Sequence, residues 1–228
     1  MKSFLVIASL LIAVSLACSA YKSAGSQPLP VNNVPAQTST QTNNAPAQEK
    51  QPCTLTLAGA PEIKGLRLGM TPDEVLALFP GSKDDAEVRA SVSAAPTEFG
   101  VSNFVIRPAQ YGSKEKFAGI NQISLNLLDG RVTALTIGYD GPAYSHVDKF
   151  VEMVIKETSL PPIDQWEGYV GMDNQMKTLT CTEFEVRVFA GGPGGNLNYV
   201  LVKDLVADKK LKARRAKARA KASPIPSQ

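Results

Sequence analysis

Few residues in this 228-residue chain have side chains that do chemistry, and their types narrow the options at once. There are three cysteines, Cys18, Cys53 and Cys181, and one histidine, His146. A four-thiolate zinc site and a paired-histidine site are therefore excluded. No P-loop, G-x-S-x-G or H-E-x-x-H string occurs. His146 stands at a helix start near Asp140 and Asp148, but no neighbour is marked as a nucleophile. It reads as a surface histidine at a helix terminus. Asp84-Asp85 with Glu87 offers too few oxygens at calcium spacing and reads as a solvated polar turn. Gly191-Gly192-Pro193-Gly194-Gly195-Asn196 has the backbone freedom to wrap a phosphate. It precedes a strand and lacks Lys, Ser and Thr, so it reads as a hairpin loop. Trp166 and Tyr169, with Phe150, could stack on a ligand; core packing is the stronger reading for a lone Trp. No catalytic, metal-binding or cofactor-binding residue is assigned, and no cofactor is expected.

The thiols and the charges remain. The net charge of +3 hides a split: residues 209–228 carry eight of the 24 basic residues and no acidic one. The rest holds 16 basic against 21 acidic residues, a net of −5. The basic residues of the tail are Lys209, Lys210, Lys212, Arg214, Arg215, Lys217, Arg219 and Lys221. Such a run attracts a polyanion. Ala, Lys and Arg are also good helix formers, so the tail either extends the last strand into a helix or stays solvated. Within the run Lys209 to Lys221, Leu211 is the one strongly apolar residue, which argues against deep insertion into a membrane.

The N-terminus supplies the compartment. Met1-Lys2-Ser3 leads into an apolar run from Phe4 to Val14, and small residues follow to Ala20. That is the layout of a secretory signal, residues 1–20, with cleavage after Ala17 or Ala20. A cut after Ala17 leaves Cys18 first and available for lipidation; a cut after Ala20 gives plain secretion. Residues 21–52 are rich in Pro, Gln, Asn, Thr, Ser and Ala, and read as a disordered linker. In an oxidising compartment thiols pair. With Cys18 lipidated or removed, Cys53 and Cys181 are the natural disulfide; the alternative is two buried free thiols.

The folded body spans 53–208. Thr71-Pro72-Asp73-Glu74 is a capping box with proline at the first helical position, predicting a helix over 72–79 that Pro80-Gly81 ends. Part of 83–91 is a weaker helix candidate. Val101 to Ile106 reads as a strand. Ile123, Leu125 and Leu127 alternate with polar residues, and Leu135, Ile137 and Tyr139 return on one face. To put both apolar sets on the same side, the expected hairpin has a three-residue loop with a bulge at Gly130, pairing Leu125 with Thr133 and Ile123 with Leu135. Ser145 is expected to cap a helix carrying Val147, Phe150, Val151, Val154 and Ile155, stopped by Pro161-Pro162. Strands are expected over 165–170, 177–190 and 198–206. The order is helix, three strands, helix, three strands, in halves of about 65–141 and 144–206. That pattern predicts an α+β fold: a two-layer antiparallel sheet with helices on one face, built from a tandem helix-plus-three-strand unit.

The string from Gly65 to Val75, GLRLGMTPDEV, resembles the G-M-T-x-x-[DE]-V helix start of the BamE/SmpA small outer-membrane lipoproteins and the β-lactamase-inhibitor-protein-like fold. The resemblance implies a helical segment paired with an antiparallel sheet, the unit occurring twice in the inhibitor protein, and an envelope location. The Asp129-Gly130-Arg131 hairpin and the signal-like N-terminus agree with it. This chain departs from the compact BamE type in length, in its second unit and in its basic tail.

The expectation is a non-catalytic exported binding or assembly module of the bacterial cell envelope, periplasmic or anchored to the outer membrane. Its partner would be an envelope protein, with anionic lipid or wall polymer meeting the tail; cytoplasmic nucleic acid is not expected. The rivals are a polyanion-binding protein acting through the tail, and an envelope enzyme built from carboxylates.

Overall fold

The computed structural model describes residues 52–192 and 196–222. The expected signal with Cys18, the linker up to residue 51, Pro193 to Gly195 of the glycine loop and the last six residues of the tail lie outside the described residues.

Helix α1 runs over Pro72–Leu76. The capping box forms as expected: Glu74 N–H donates to Thr71 Oγ1 at 3.2 Å, and Thr71 N–H donates to Glu74 Oε2 at 2.7 Å. The bonds that the Glu74 carboxyl accepts from the Thr71 N–H and then from the Thr71 hydroxyl hold it below its ordinary range. The helix stops short of the expected Phe79, because the chain tightens into bonds of Leu78 to Val75 and Phe79 to Leu76. Gly81, with φ +91°, then turns it. Helix α2 is Ala86–Ser93. The Asp84-Asp85-Glu87 cluster is its start rather than a turn: Asp85 Oδ1 accepts from the N–H groups of Glu87 and Val88, the usual work of an N-cap aspartate.

Strands β1 (Val101–Ile106), β2 (Ile120–Leu128) and β3 (Arg131–Tyr139) form the first meander. The β2–β3 register differs from expectation. The turn has only two residues, Asp129 and Gly130, both at positive φ (53° and 74°) as in a type I′ turn. Leu125 faces Leu135 and Ile123 faces Ile137. The extra residue that keeps the apolar faces together sits inside the ladder, at the shift between Asn126 and Leu127, and not in the turn.

Helix α3 covers Val147–Thr158, and its cap is His146, one residue after the expected Ser145. The Nδ1 of His146 accepts the Asp148 N–H at 3.2 Å. Val147, Phe150, Val151 and Val154 are buried on one side, as the spacing predicts. The second meander has four strands instead of three. The 165–170 segment shrinks to β4 (Glu167–Gly168), and 177–190 divides into β5 (Met176–Thr180) and β6 (Phe184–Gly191). The break comes where Cys181 N–H turns back to Phe184 O. Strand β7 is Leu197–Asp204.

All seven strands join one antiparallel sheet in the order β1-β2-β3-β7-β6-β5-β4. Each meander runs from an outer edge to the middle, where β3 meets β7. The fold is α+β. Alternation puts Phe104, Ile106, Ile123, Leu125, Leu135, Ile137, Val186, Val188, Val200 and Val202 on one face. There they form a single core with the apolar sides of α1, α2 and α3, and with Trp166, which is buried as expected.

Cys53 and Cys181 are joined by a disulfide across 128 positions of sequence. Two hydrogen bonds lie beside it: Thr182 N–H to Leu55 O at 3.2 Å, and Leu57 N–H to Glu183 Oε2 at 2.9 Å. The incoming segment is thereby stitched to the β5–β6 turn. A bridge across so long a loop chiefly restricts the unfolded chain. Reduction, or Cys53→Ser with Cys181→Ser, is expected to lower unfolding free energy by about 2–5 kcal/mol. Urea titration with and without reductant reads this as a lower midpoint, with the native far-UV spectrum unchanged at zero denaturant.

Candidate functional site

The basic tail begins as a helix. Helix α4 runs over Leu205–Ala222, 18 residues, or about 27 Å at the usual rise. It starts four residues before the expected tail boundary, and the strand expected to reach 206 ends at Asp204. Asp204 Oδ1 accepts the Ala207 N–H at 2.8 Å and caps the first turn. Ala207, Asp208, Leu211, Arg214 and Ala218 are half-buried at helical spacing. That side lies against the sheet face away from the core, where Asn126, Ala134 and Lys203 share a groove with Ala207, Leu211 and Arg215. The helices α1 to α3 thus cover one face, and α4 crosses an end of the other.

One carboxylate fastens it. Asp129, at the tip of the β2–β3 turn, accepts both Nη groups of Arg214, each at 2.8 Å, and Lys210 Nζ at 2.9 Å. Arg214 Nη1 also donates to Phe99 O at 2.7 Å. Gly100 makes room: it lies at φ +80°, and a Cβ there would come within 2.5 Å of Asp129 Oδ1 and 2.9 Å of Arg214 Nη1. Arg215 places its guanidinium 5.9 Å from the Phe99 ring centre, a cation–π distance. At the other end Asp208 takes Lys203 and Lys212, each at 2.8 Å. The hydrogen bonds from Arg214, then those from Lys210, hold the Asp129 carboxyl well below the usual carboxylate range.

The eight tail cations therefore divide. Lys210, Lys212 and Arg214 pair with carboxylates of the same chain, and Arg215 lies on Phe99. Among the described residues, Lys209, Lys217, Arg219 and Lys221 form no ion pair. Opposite the docked side, Ala213, Ala216 and Ala220 are exposed. At 100° per residue they form a crest between two flanks of Lys and Arg.

Beyond α4 the same sheet face carries a row of which the sequence reading named only Tyr169, grouped there with Trp166 and Phe150, which are buried in the core. Met176 pairs with Phe189, and Phe189 with Tyr199. Tyr169, whose N–H donates to Met176 O, continues the row past β4. The Phe189 and Tyr199 rings stack with centres 5.1 Å apart. Tyr169 and Leu197 are about half exposed, at 51% and 52%, and Val170 is 92% exposed. Parity was the available signal: with Phe184, Val186 and Val188 facing the core, Phe189 must face away.

His146 sits beside the Asp148–Lys177 ion pair. Asp148 lies 3.2 Å from its Nδ1 and takes Lys177 Nζ at 2.9 Å. Its observed work is to cap α3. Among the described residues, no group of three or more His, Cys, Asp or Glu could hold a metal ion. No described helix is long and apolar enough to cross a membrane.

Asp129→Asn is expected to undock α4: amide exchange over 205–222 accelerates while the sheet stays protected. Gly100→Ala should do the same by steric means. The sign of the pH dependence follows from the lowered carboxyl. Docking is present above the ordinary aspartate range of about 4, persists through mild acid, and is lost only as pH falls through the depressed value. Exchange measured at mildly acidic pH should match that at neutrality, whereas high salt should speed it. A search of family models, of curated proteins and of solved structures finds no match to this chain.

Proposed function

We propose that this chain is a non-catalytic exported binding or assembly module of the bacterial cell envelope. The observation that carries the reading is the Cys53–Cys181 disulfide, formed where the chain enters its folded body. Structural disulfides belong to oxidising compartments. The signal-like residues 1–20 and the resemblance of Gly65 to Val75 to an envelope lipoprotein motif point the same way. Binding is supported by the sheet face away from the core, where half-exposed Tyr169 and Leu197 rim the Met176–Phe189–Tyr199 row and exposed Val170 follows in the next turn. Large exposed apolar residues gathered on one face are the usual mark of a protein partner. In this reading an envelope protein meets that face, and the tail faces an anionic surface.

A second reading is a polyanion-binding protein in which α4 is the main functional part. It is favoured by the four cations that pair with no carboxylate among the described residues.

Two measurements test these readings. Intact mass of the protein from its native host should give a processed chain that gains two protons on reduction. A start at Cys18 with added lipid means an anchored form, and an unmodified start at Tyr21 a soluble export. An unprocessed chain with free thiols overturns the export reading. Cross-linked partner recovery should then fall sharply in Tyr169→Asp/Val170→Asp and survive removal of 209–228; the opposite pattern favours the second reading.

A further inference from the structure

Most of a docked helix's charge is expected to be answered by the surface under it, and here that holds for only part of α4. The helix carries eight basic residues and one acidic residue. Asp129 takes Lys210 and Arg214, and Lys203 of β7 takes Asp208; these contacts fix how the helix lies, while Lys212 pairs with Asp208 within the helix. Arg214 is held too closely for another role: it has both oxygens of Asp129 and the Phe99 carbonyl, in a space that only glycine at position 100 leaves open. Lys209, Lys217, Arg219 and Lys221 are exposed and form no ion pair among the described residues, Arg219 lying at the rim of a cleft with Glu98 and Phe99.

The directions matter. Taking the docked side of α4 through Leu211 as zero, Lys209 lies near the outward pole, and Lys217 and Lys221 fall on one flank, Arg219 on the other. Between the flanks, beyond Val206 and Lys209 in the first turns, is the alanine crest. Alanine side chains are short, so a flat surface can approach the helix axis closely along the crest. The long Lys and Arg stems then reach sideways along that surface with their charges in the aqueous layer. A grooved polymer would be matched by cations on one narrow stripe. Cations spread around both sides of a low crest match a plane.

We propose that the outward side of α4 is a docking surface for an anionic lipid bilayer, with Lys209, Lys217, Arg219 and Lys221 as its headgroup contacts and Asp129 as the internal anchor that presents them. The surface holds the helix parallel to the bilayer without deep insertion, since Val206 is the one large apolar residue exposed on its described part and Leu211 faces the sheet. The choice of lipid over other polyanions rests on the export reading above, which puts the protein beside membranes. A weak electrostatic surface of this kind acts together with a second attachment.

The test uses the full chain and co-sedimentation with two vesicle types: phosphatidylcholine alone, and equal parts phosphatidylglycerol and phosphatidylcholine. The difference between them is read, because the N-terminal apolar run is the same in every variant and has no preference for lipid charge. Wild type should favour the anionic vesicles, and raised salt should remove the preference. Lys209→Gln/Lys217→Gln/Arg219→Gln/Lys221→Gln should lower anionic partitioning by about two to three orders of magnitude. Replacing the three lysines by arginine, which keeps the charge, should preserve it. A control lowering the net charge equally on the body, Lys64→Gln/Arg89→Gln/Lys114→Gln/Lys156→Gln, should keep most of the preference. The melting temperature shows that each variant folds.

Anionic partitioning unchanged in the four-glutamine variant overturns the proposal, as does an equal loss in the body control. Tighter binding of wild type to duplex DNA or heparin than to the anionic vesicles overturns the lipid assignment. The vesicle result and the intact mass fail separately: a cytosolic, unprocessed chain that still needs the four cations for anionic vesicles sinks the export reading alone.

Discussion

The pairing of β3 with β7 is the contact on which the rest of the molecule depends. It is the join between two meanders that otherwise share no strand, and it runs from Ala134 beside Lys203 to Tyr139 beside Asn198. The pairing sets the phase of both halves, so that Leu135 and Ile137 face the same core as Val200 and Val202. A slip of one residue would invert one half against the other and turn its apolar face to water. The same register decides where α4 begins. With Lys203 opposite Ala134, the helix leaves β7 beside the first meander and meets the β2–β3 turn within its third turn.

Much of this was legible in the sequence, for identifiable reasons. The capping box at Thr71 and the apolar spacing of α3 are local and dominated by backbone hydrogen bonding and one-sided burial, so they survive into the fold. The disulfide was expected from the signal-like N-terminus and the cysteine count. What failed was non-local. The β2–β3 hairpin needed one extra residue to align two apolar faces, and the sequence could not say whether a turn or a ladder would absorb it. The Asp129-Gly130 pair satisfies a two-residue turn by itself, which pushed the bulge into the strand. The break at Cys181 to Glu183 was hidden because the residues on both sides are good strand formers. The cap of α3 moved by one residue because a histidine ring nitrogen accepts a backbone N–H as a serine oxygen does.

The candidate site was half visible. The eight cations could be counted, but their division into internal and outward sets could not, because it depends on a carboxylate some eighty positions earlier in the chain and on the space left by Gly100. A strongly basic segment is often treated as one undifferentiated charge. In this fold it is an anchor and a display: cations near the sheet are consumed in holding the helix still, and that immobility gives those remaining a fixed arrangement. The rest of the aromatic row was missed for a related reason. Phe189 and Tyr199 matter as a pair across two strands, and only the β6–β7 register brings them together.

The Cys53–Cys181 bond also has a mechanical meaning. Tension applied to the chain at residue 52 passes through one peptide segment to Cys53 and then across the sulfur bridge to Cys181. The residues between them, which include α1 to α3 and strands β1 to β5, lie in a shunted loop off the covalent line of tension. If the C-terminal helix is the other point of attachment, that line runs through β6, β7 and α4, and the loop is loaded only through their non-covalent contacts, such as Asp129 with Arg214. Those strands lie in the middle of the sheet, flanked by the two parts that the bridge bypasses. A protein strung between two attachments would thus keep most of its core off that line while its central hairpin bears the strain.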